Sequence, residues 1–351
     1  MAARSETIAM RQGESLPLET LRDYLRVRID GAENGLELEQ FPNGHSNLTY
    51  LLRAGGREYV LRRPPLGPVA PKAHDMVREY HVLRAVHPHF PEAPRPLLVC
   101  EDPAILGAPF FVMERRKGVV LREEIPQSIA GTPNYAAMVS EAFLDTMVRL
   151  HAIDVTSGEV SSLGKPEGYV ERQVRGWSDR WKRAETETVA ELDQVVDWLA
   201  SHIPRAQAPS LIHNDYKLDN VMLSAPDRVE AVLDWEMTTI GDPLSDLGLT
   251  LCYWTWATAP DLRVAGIPAL TAGPGWYTRD QLVERYEQQT GRDVAHIGYY
   301  EVLGVFKLAV IIQQIYCRFH RGQTQDVRFE NFGARAKALA RQAARLAEQY
   351  G

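Results

Sequence analysis

The chain has 351 residues, of which 45% are hydrophobic and 24% charged, and its formal net charge is -7. This length fits a two-lobed enzyme or two modest domains with a large core. The negative charge argues against a nucleic-acid-binding protein, because phosphate contacts need clustered Lys and Arg. Three widely separated cysteines give no disulfide framework, so a cytoplasmic location is expected.

The N-terminal stretch, "MAARSETIAMRQGESL", lacks the apolar run of a secretory signal. The longest apolar stretch, 302–319, contains Lys307, Gln313, Gln314 and Arg318. These polar groups interrupt it, so it predicts a buried helix and no membrane span.

The first third of the chain has the alternation and turn signals of β-structure. Apolar residues at helical spacing first predict a short helix over 16–28. Five stretches then predict strands, "LELEQF", "NLTYLLRA", "EYVLRR", "PLLVCED" and "APFFVMER", and "AGG" predicts a hairpin turn. The apolar spacing over 76–86 predicts a helix packed on a sheet. Residues 36–115 therefore predict an antiparallel sheet with one helix.

After residue 116 the pattern becomes mainly helical. Helices are predicted over 134–152, 171–202, 278–289, 297–320 and 332–349. The stretches "NVMLS" and "VEAVLDW", which flank "APDR" at 225–228, predict a β-hairpin. These patterns divide the chain into an N-terminal lobe, 1–115, and a mainly helical C-terminal lobe, 116–351.

One stretch, "LIHNDYKLDN" at 211–220, crowds polar groups directly before that hairpin. The spacing is His-x-Asp-x-Lys-x-x-Asn, and an apolar strand ends in Asp234 fourteen residues after Asn220. Phosphoryl transfer needs such groups, because the protein must mainly position reactants and neutralise charge. Asp215 can accept the proton of an attacking hydroxyl, while Lys217 can lie near the phosphoryl group and His213 can brace the loop.

Asn220 and Asp234 supply the oxygen atoms that Mg²⁺ prefers as ligands. Each residue alone also has a simpler interpretation, since a loop Asp often forms a cap or turn and a single Lys is usually solvated. The joint pattern is much more specific than its parts. A metalloprotein site built on histidine ligands is disfavoured because no second His stands at ligand spacing from His213.

The N-terminal half offers groups that could bind a nucleotide. The polar loop "FPNGHSN" lies between two predicted strands, and its Ser46 and Asn47 are candidates for phosphate contacts. Arg62 is the candidate cation for the nucleotide phosphates, and Glu79, seventeen positions later, is its candidate partner on a helix. An ordinary surface ion pair, which contributes little, is the alternative.

A buried strand, "FFVMER", is predicted to end at the junction of the two lobes. The backbone at Met113, Glu114 and Arg115 is the candidate contact for adenine. Together, these segments predict ATP and Mg²⁺ as cofactors.

The stretches "LIHNDYKLDNVML" and "VLDWEMTTIGDPLSDLG" resemble the aminoglycoside phosphotransferase and choline-kinase-like family, which shares the protein-kinase fold. The resemblance extends from about Phe41 to the helix at 300–320. Within the family, "YVLRRPP", "ERQVRGWSDRW" and "DWEMTTIGDPLSDLG" resemble the subgroup related to the kinase-like domains of acyl-CoA dehydrogenase family members 10 and 11. This implies an α+β, two-lobed fold with a small antiparallel-sheet N-lobe and a larger, mainly helical C-lobe.

The resemblance implies that Asp215 is the catalytic base and that Asn220 and Asp234 are the Mg²⁺ ligands. Asp246 of "GDPLSDL" is expected to hold the catalytic loop by hydrogen bonds.

Two departures from the family pattern stand out. Arg62 lies where the family usually has a phosphate-binding lysine, and a planar fork there replaces a point charge. Arg63 is an alternative for the same function. Asn214 stands where the family more often has Gly.

The segment "ERQVRGWSDRWKR" bears on the phosphate acceptor, which we expect to be a small molecule. As a helix, it places Trp177 on an apolar stripe and Arg172 and Arg175 on a neighbouring face. This favours an anionic or acyl-bearing acceptor over a polycation, although a solvated helix with core tryptophans would look the same. Trp254 and Trp256 could likewise line an apolar pocket or belong to the core.

The subgroup resemblance implies phosphorylation of a hydroxy fatty acid or hydroxyacyl-CoA. An aminoglycoside or choline-type kinase is one alternative, and a non-catalytic protein that binds a nucleotide or acyl-CoA is another. A protein kinase is disfavoured, since the chain lacks a GxGxxG loop and an Ala-Pro-Glu segment.

Overall fold

A computed structural model of the chain describes residues 6–11, 14–42, 47–65, 74–254, 270–324 and 326–350. The chain divides into two compact units. The first contains residues 1–117 and 230–236, and the second contains residues 118–229 and 237–351. The short segment 230–236, which follows the stretch 211–220 in sequence, therefore belongs to the first unit.

The first unit is built on a sheet with the strand order β1-β2-β3-β5-β4, in which all four ladders are antiparallel. The strands are β1 Leu36–Gln40, β2 Leu48–Ala54, β3 Arg57–Arg63, β4 Pro96–Cys100 and β5 Phe110–Glu114. The antiparallel sheet predicted from alternation in 36–115 is confirmed.

The turn between β2 and β3 explains the "AGG" signal. Gly55 and Gly56 have φ values of +54° and +79°, the left-handed conformation that a tight two-residue hairpin turn requires. Ala54 and Arg57 pair directly on either side of it. Because register decides which face each side chain occupies, this turn also fixes the orientation of Arg62 on β3.

Within the described residues of the first unit, three α-helices accompany the sheet: α1 Leu18–Leu25, α2 Met76–Val86 and α3 Pro103–Leu106. Leu21 and Leu25 of α1 enter a buried cluster with Tyr50 and Phe110 of the sheet. The helix α2 has the predicted bounds. The short α3 was not predicted.

The second unit is mainly helical. Its helices are α4 Gln127–Ala130, α5 Tyr135–His151, α6 Tyr169–Ala184, α7 Ala190–Ser201, α8 Leu244–Tyr253, α9 Arg279–Thr290, α10 Ile297–His320 and α11 Phe332–Tyr350. The prediction of one helix over 171–202 is wrong, because α6 ends where Glu185 adopts an extended conformation with ψ of 130°. The β-branched Thr186, Thr188 and Val189 that follow have low helix propensity.

Short strands frame the stretch 211–220. The strand β7 Ser210–Ile212 pairs antiparallel with β10 Thr239–Gly241. The strand β8 Val221–Ala225 pairs with β6 Val119–Val120, and β9 Arg228–Val232 follows β8 in the same sheet. The predicted hairpin is therefore present, whereas the β7–β10 ladder was not predicted because each strand has only three residues.

The helix α10 is the apolar stretch that the sequence singled out. Its length and composition would suffice to cross a membrane, but 61% of its most apolar window is buried inside the protein. It packs against α6, α7, α8 and α11. The prediction of a buried helix is confirmed.

Candidate active site

We call residues 213–220 the catalytic loop, after their predicted function. The loop begins directly after β7 and is held at its start by one buried carboxylate. The backbone N–H groups of His213 and Asn214 donate to Asp246 of α8 over 2.7 and 2.6 Å. Asp246 is fully buried, so these bonds are protected from water. The expectation that Asp246 holds the loop by hydrogen bonds is confirmed.

Asp246 has a further partner in His151, whose Nε2 lies 3.2 Å from the carboxylate and whose Nδ1 lies 2.8 Å from the Tyr286 hydroxyl. Burial alone would raise the pKa of Asp246, but the hydrogen bond from His151 and the contacts of His213 outweigh burial and lower it. The carboxylate therefore stays ionised and remains an acceptor for the loop.

Within the loop, the Asp215 carboxylate is held by two neighbours. Lys217 Nζ lies 3.0 Å from each carboxylate oxygen, and Asn220 Nδ2 donates to Oδ2 over 2.8 Å. Asn220 also donates to the backbone carbonyl of Asp215. The side chain of Asp215 remains 27% exposed, so a substrate can reach it.

Lys217 lies in an environment that keeps it charged. Burial lowers the pKa of its ammonium, but Tyr253 and the Asp215 carboxylate outweigh burial, and the pKa is raised. Its ammonium lies 3.0 Å from the Asp215 carboxylate, and its predicted place near the phosphoryl group stays a prediction. Burial raises the pKa of the Asp219 carboxyl, and Lys217 and Arg122 oppose this rise.

A small cavity opens beside Lys217 within the second unit. Its wall includes the aromatic side chains of Phe143, Tyr253 and Trp254 and the charged side chains of Arg122, Lys217 and Asp219. An apolar wall with a few charged groups is typical of a small-molecule site.

In the first unit, three charged side chains form what we call the ion-pair cluster. Arg62 of β3 lies 2.5 Å from Glu79 of α2 and 3.1 Å from Asp234. Glu79 is only 1% exposed, so the alternative of a surface ion pair is wrong. Burial raises the pKa of the Glu79 carboxyl, and Arg62 opposes this rise.

The structure also separates Arg62 from Arg63. Successive residues of a strand point to opposite faces. Arg63 therefore points away from the cluster and donates to the backbone carbonyls of Leu106, over 2.8 Å, and Pro64, over 3.1 Å. Of these two arginines, Arg62 is the one that pairs with Glu79 and Asp234. Its function in place of the lysine of the family stays a prediction.

Asp234 is positioned by its own segment, 230–236. The N–H of Val232 donates to the carbonyl of Glu92 over 2.8 Å, and the Trp235 ring packs edge-on against Phe90. Asp234 itself has a left-handed φ of +68°. This conformation is unusual for a residue other than Gly and is often found at functional sites.

The predicted nucleotide contacts are described in part. Ser46 lies outside the described residues. Asn47 is buried, and its Nδ2 donates to Glu236 over 3.1 Å.

Met113 and Glu114 are the last residues of β5, paired with Val60 and Tyr59 of β3. The N–H of Glu114 already donates to the carbonyl of Arg95, and Arg115 pairs with Glu6. Binding of adenine by these residues stays a prediction.

The four predicted acceptor residues lie in different surroundings. Arg172 and Arg175 are on the exposed face of α6, where Arg172 donates to the backbone carbonyls of Lys165 and Glu167. Trp177 is on the buried face of the same helix. Trp254 is buried and lines the cavity beside Lys217. Trp256 lies outside the described residues.

Two residues that sequence analysis did not assign to the site also contact the loop. Asn214 Oδ1 accepts hydrogen bonds from Tyr169 and Lys307 over 3.1 and 3.0 Å. The only signal for Lys307 in the sequence was a cation in the middle of the apolar run 302–312.

The two predicted magnesium ligands, Asn220 of the second unit and Asp234 of the first, each offer an oxygen donor. The amide nitrogen of Asn220 donates hydrogen bonds to Asp215. Its Oδ1 accepts no hydrogen bond from the part of the chain that the structure describes. The amide oxygen is therefore the atom that remains for a cation. Asp234 offers a carboxylate, and both groups are of the type that Mg²⁺ prefers. Binding of one magnesium ion by these two residues stays a prediction.

Comparison with known proteins finds a matching family model and similar chains. The family model described as "Phosphotransferase enzyme family" matches residues 37–282. The chain is 31% identical to acyl-CoA dehydrogenase family member 10 of Mus musculus over 95% of its length, and 33% identical to family member 11 of the same organism over 92%. It spans only 31% and 42% of these two relatives.

Among solved structures, a candidate aminoglycoside phosphotransferase from Ralstonia eutropha JMP134 is 31% identical, with a TM-score of 0.79 and coverage of 95% of this chain and 99% of that chain. Two more distant structures share the fold. Aminoglycoside phosphotransferase APH(4)-Ia in complex with ADP and hygromycin B is 18% identical, with a TM-score of 0.59 and coverage of 93% and 98%. Choline kinase from Cryptosporidium parvum is 13% identical, with a TM-score of 0.64 and coverage of 94% and 95%.

Proposed function

The chain belongs to the phosphotransferase enzyme family, and we propose that it transfers the γ-phosphoryl group of Mg-ATP to a hydroxyl group of a small molecule. The observation that carries the proposal is the Asp215 carboxylate, which Lys217 and Asn220 hold on a loop anchored to Asp246. A carboxylate fixed in this way can accept the proton of an attacking hydroxyl.

Each residue has one task in this mechanism. Lys217 and Asn220 orient the Asp215 carboxylate, which takes the proton as the hydroxyl oxygen attacks the γ-phosphorus. The bond from this phosphorus to the β–γ bridging oxygen breaks, and ADP leaves. Arg62 carries a positive charge that can bind phosphate oxygens, and Glu79 fixes its side chain. A magnesium ion bound by Asn220 and Asp234 would neutralise phosphate charge.

The cavity beside Lys217 supports an acceptor with an apolar part and an anionic group. Phe143, Tyr253 and Trp254 can bury the apolar part, and Arg122 can bind the anion. We propose a hydroxy fatty acid or a hydroxyacyl-CoA. The relatives named acyl-CoA dehydrogenases are consistent with this proposal, although the chain spans less than half of each.

Arg122 gives a test of the acceptor site. The variant Arg122→Met keeps a long apolar side chain but removes the cation. It should raise KM for an anionic acceptor about 10-fold or more and leave KM for ATP unchanged. Arg205→Met, a change at an exposed arginine outside the cavity, is the matched control and should change neither constant. An unchanged KM for the acceptor would remove Arg122 from the site.

A screen of acceptors tests the function itself. ADP release from Mg-ATP is measured with hydroxyacyl-CoAs, free hydroxy acids, choline and aminoglycosides, together with the thermal shift that each compound causes. We expect turnover with a hydroxyacyl-CoA or a hydroxy acid. Turnover with aminoglycosides alone would contradict the acyl acceptor. ATP binding without turnover on any acceptor would favour a non-catalytic nucleotide-binding protein.

A further inference from the structure

Asn214, which immediately precedes Asp215, has a left-handed backbone conformation with a φ of +67°. Few residues other than Gly adopt this conformation, and Asn is among the best tolerated of them. The peptide that leads into Asp215 therefore has an unusual conformation that its surroundings must maintain.

The side chain of Asn214 is held by three separate parts of the second unit. Its Oδ1 accepts hydrogen bonds from the Tyr169 hydroxyl of α6, over 3.1 Å, and from Lys307 Nζ of α10, over 3.0 Å. Its Nδ2 donates to the carbonyl of Met237 over 3.3 Å. The loop is therefore fixed by this side chain as well as by its backbone bonds to Asp246.

Lys307 is an unusual donor. It is only 6% exposed, its neighbours on α10 are apolar, and its ammonium lies 5.6 Å from the centre of the Trp177 ring. Burying an ammonium group costs free energy unless nearby groups compensate. Burial lowers its pKa, and the carboxylates of Asp215 and Asp246 oppose this effect.

We propose that Lys307 is a positioning residue, which fixes the catalytic loop through the side chain of Asn214 and thereby orients Asp215. The effect of Lys307 on the order of the loop is inferred from the contacts of Asn214 alone. The orientation of Asp215 for catalysis rests on the proposed function.

A cycle of four proteins tests both parts: the wild type, Lys307→Met, Asn214→Gly and the double variant. Met fills the space of the lysine without its charge, and Gly adopts the left-handed conformation without strain while removing the acceptor. The first readout is amide hydrogen exchange in the peptide 211–220 of the intact protein. The second is ADP release from Mg-ATP with the acceptor that gives turnover.

We expect Lys307→Met to raise the exchange rate of the loop peptide about 10-fold in the wild-type background and less than about 2-fold in the Asn214→Gly background. We likewise expect it to lower kcat about 10-fold in the first background and less than about 2-fold in the second, with KM for ATP unchanged.

Gln313→Met is the matched control. Gln313 is an equally buried polar residue of the same helix, and it donates to Ala184 and Thr186 away from the loop. This variant should reduce overall stability but leave kcat unchanged and loop exchange within about 2-fold of the wild type. The control therefore separates a general loss of stability from a specific effect on the loop.

Unchanged loop exchange in Lys307→Met, or equal effects in both backgrounds, would overturn the inference. A coupled effect on exchange with no effect on kcat would overturn the positioning of Asp215. If Lys307→Met does not fold, Asn214→Gly is the test. Loss of the Asn214 side chain, which accepts from Lys307, must then accelerate amide exchange in the loop peptide, and an unchanged exchange rate would overturn the inference. If the wild type shows no turnover, the proposed function fails while hydrogen exchange still tests the loop.

Discussion

In the first unit, Arg62 lies between the carboxylates of Glu79 and Asp234, whereas in the second unit the carboxylate of Asp246 accepts backbone N–H groups of the catalytic loop. The ion-pair cluster joins side chains from a strand, a helix and a loop, and charge balance keeps them together. The loop depends instead on acceptors that fix its backbone. Loss of a charged group should therefore destabilise the ion-pair cluster most, and loss of a hydrogen-bond acceptor should destabilise the loop most.

The largest loss of stability is expected in Arg62→Met. It leaves Glu79 buried without its cation and should reduce the free energy of unfolding by about 3–5 kcal/mol. Arg62→Lys keeps the charge and should lose less. Urea unfolding of these variants, compared with Arg63→Met, measures the difference. A smaller loss in Arg62→Met than in Arg63→Met would contradict the importance of charge balance in the cluster.

The same variant should show a particular pH dependence. Arg62 holds down a pKa that burial raises, so its removal lets the pKa of Glu79 rise further. A group whose pKa is raised in the folded state contributes stability at low pH and loses it as pH rises. The stability loss in Arg62→Met should therefore be smaller at about pH 5 than at about pH 8. A loss that is independent of pH would mean that Glu79 is not the group left uncompensated.

A smaller loss, about 2–3 kcal/mol, is expected in Asp246→Asn, since the amide keeps one acceptor oxygen but places a donor against a loop N–H. The pKa of Asp246 is lowered in the folded state, so its contribution is present above the ordinary pKa of Asp and is lost as pH falls. The difference in unfolding free energy between wild type and variant should therefore narrow below about pH 4. A constant difference would show that the charge of Asp246 does not stabilise the loop.

The ion-pair cluster and the loop also differ in how far they could be predicted from sequence. The loop residues lie within ten positions, so spacing alone indicated Asp215, Lys217 and Asn220. Arg62 and Glu79 were proposed from their positions on a strand and a helix. Their burial and the contact with Asp234 could not be predicted, because these depend on the packing of segments far apart in the chain.

Lys307 shows the same limit within the second unit. It lies 93 positions from Asn214, and its spacing on α10 gave no indication of a partner. The break between α6 and α7 was missed for a different reason, since the apolar pattern continues across it while the backbone turns at Glu185.

The smallest effect is expected on the exposed face of α6. Arg175→Ala removes an exposed side chain and should change the free energy of unfolding by less than about 0.5 kcal/mol. If this face contributes to acceptor binding, KM for an anionic acceptor rises while kcat and Tm stay the same. An unchanged KM would remove Arg175 from the substrate site.

The most direct test of the account compares phosphoryl transfer by the wild type and by Asp215→Asn. Radiolabel from the γ-position of ATP is followed into the acceptor, and urea unfolding verifies that the variant is folded. Because Asn cannot accept the proton, we expect kcat to fall about 10²- to 10⁴-fold while KM for ATP stays the same. Equal transfer by both proteins would contradict the assignment of Asp215 as the catalytic base.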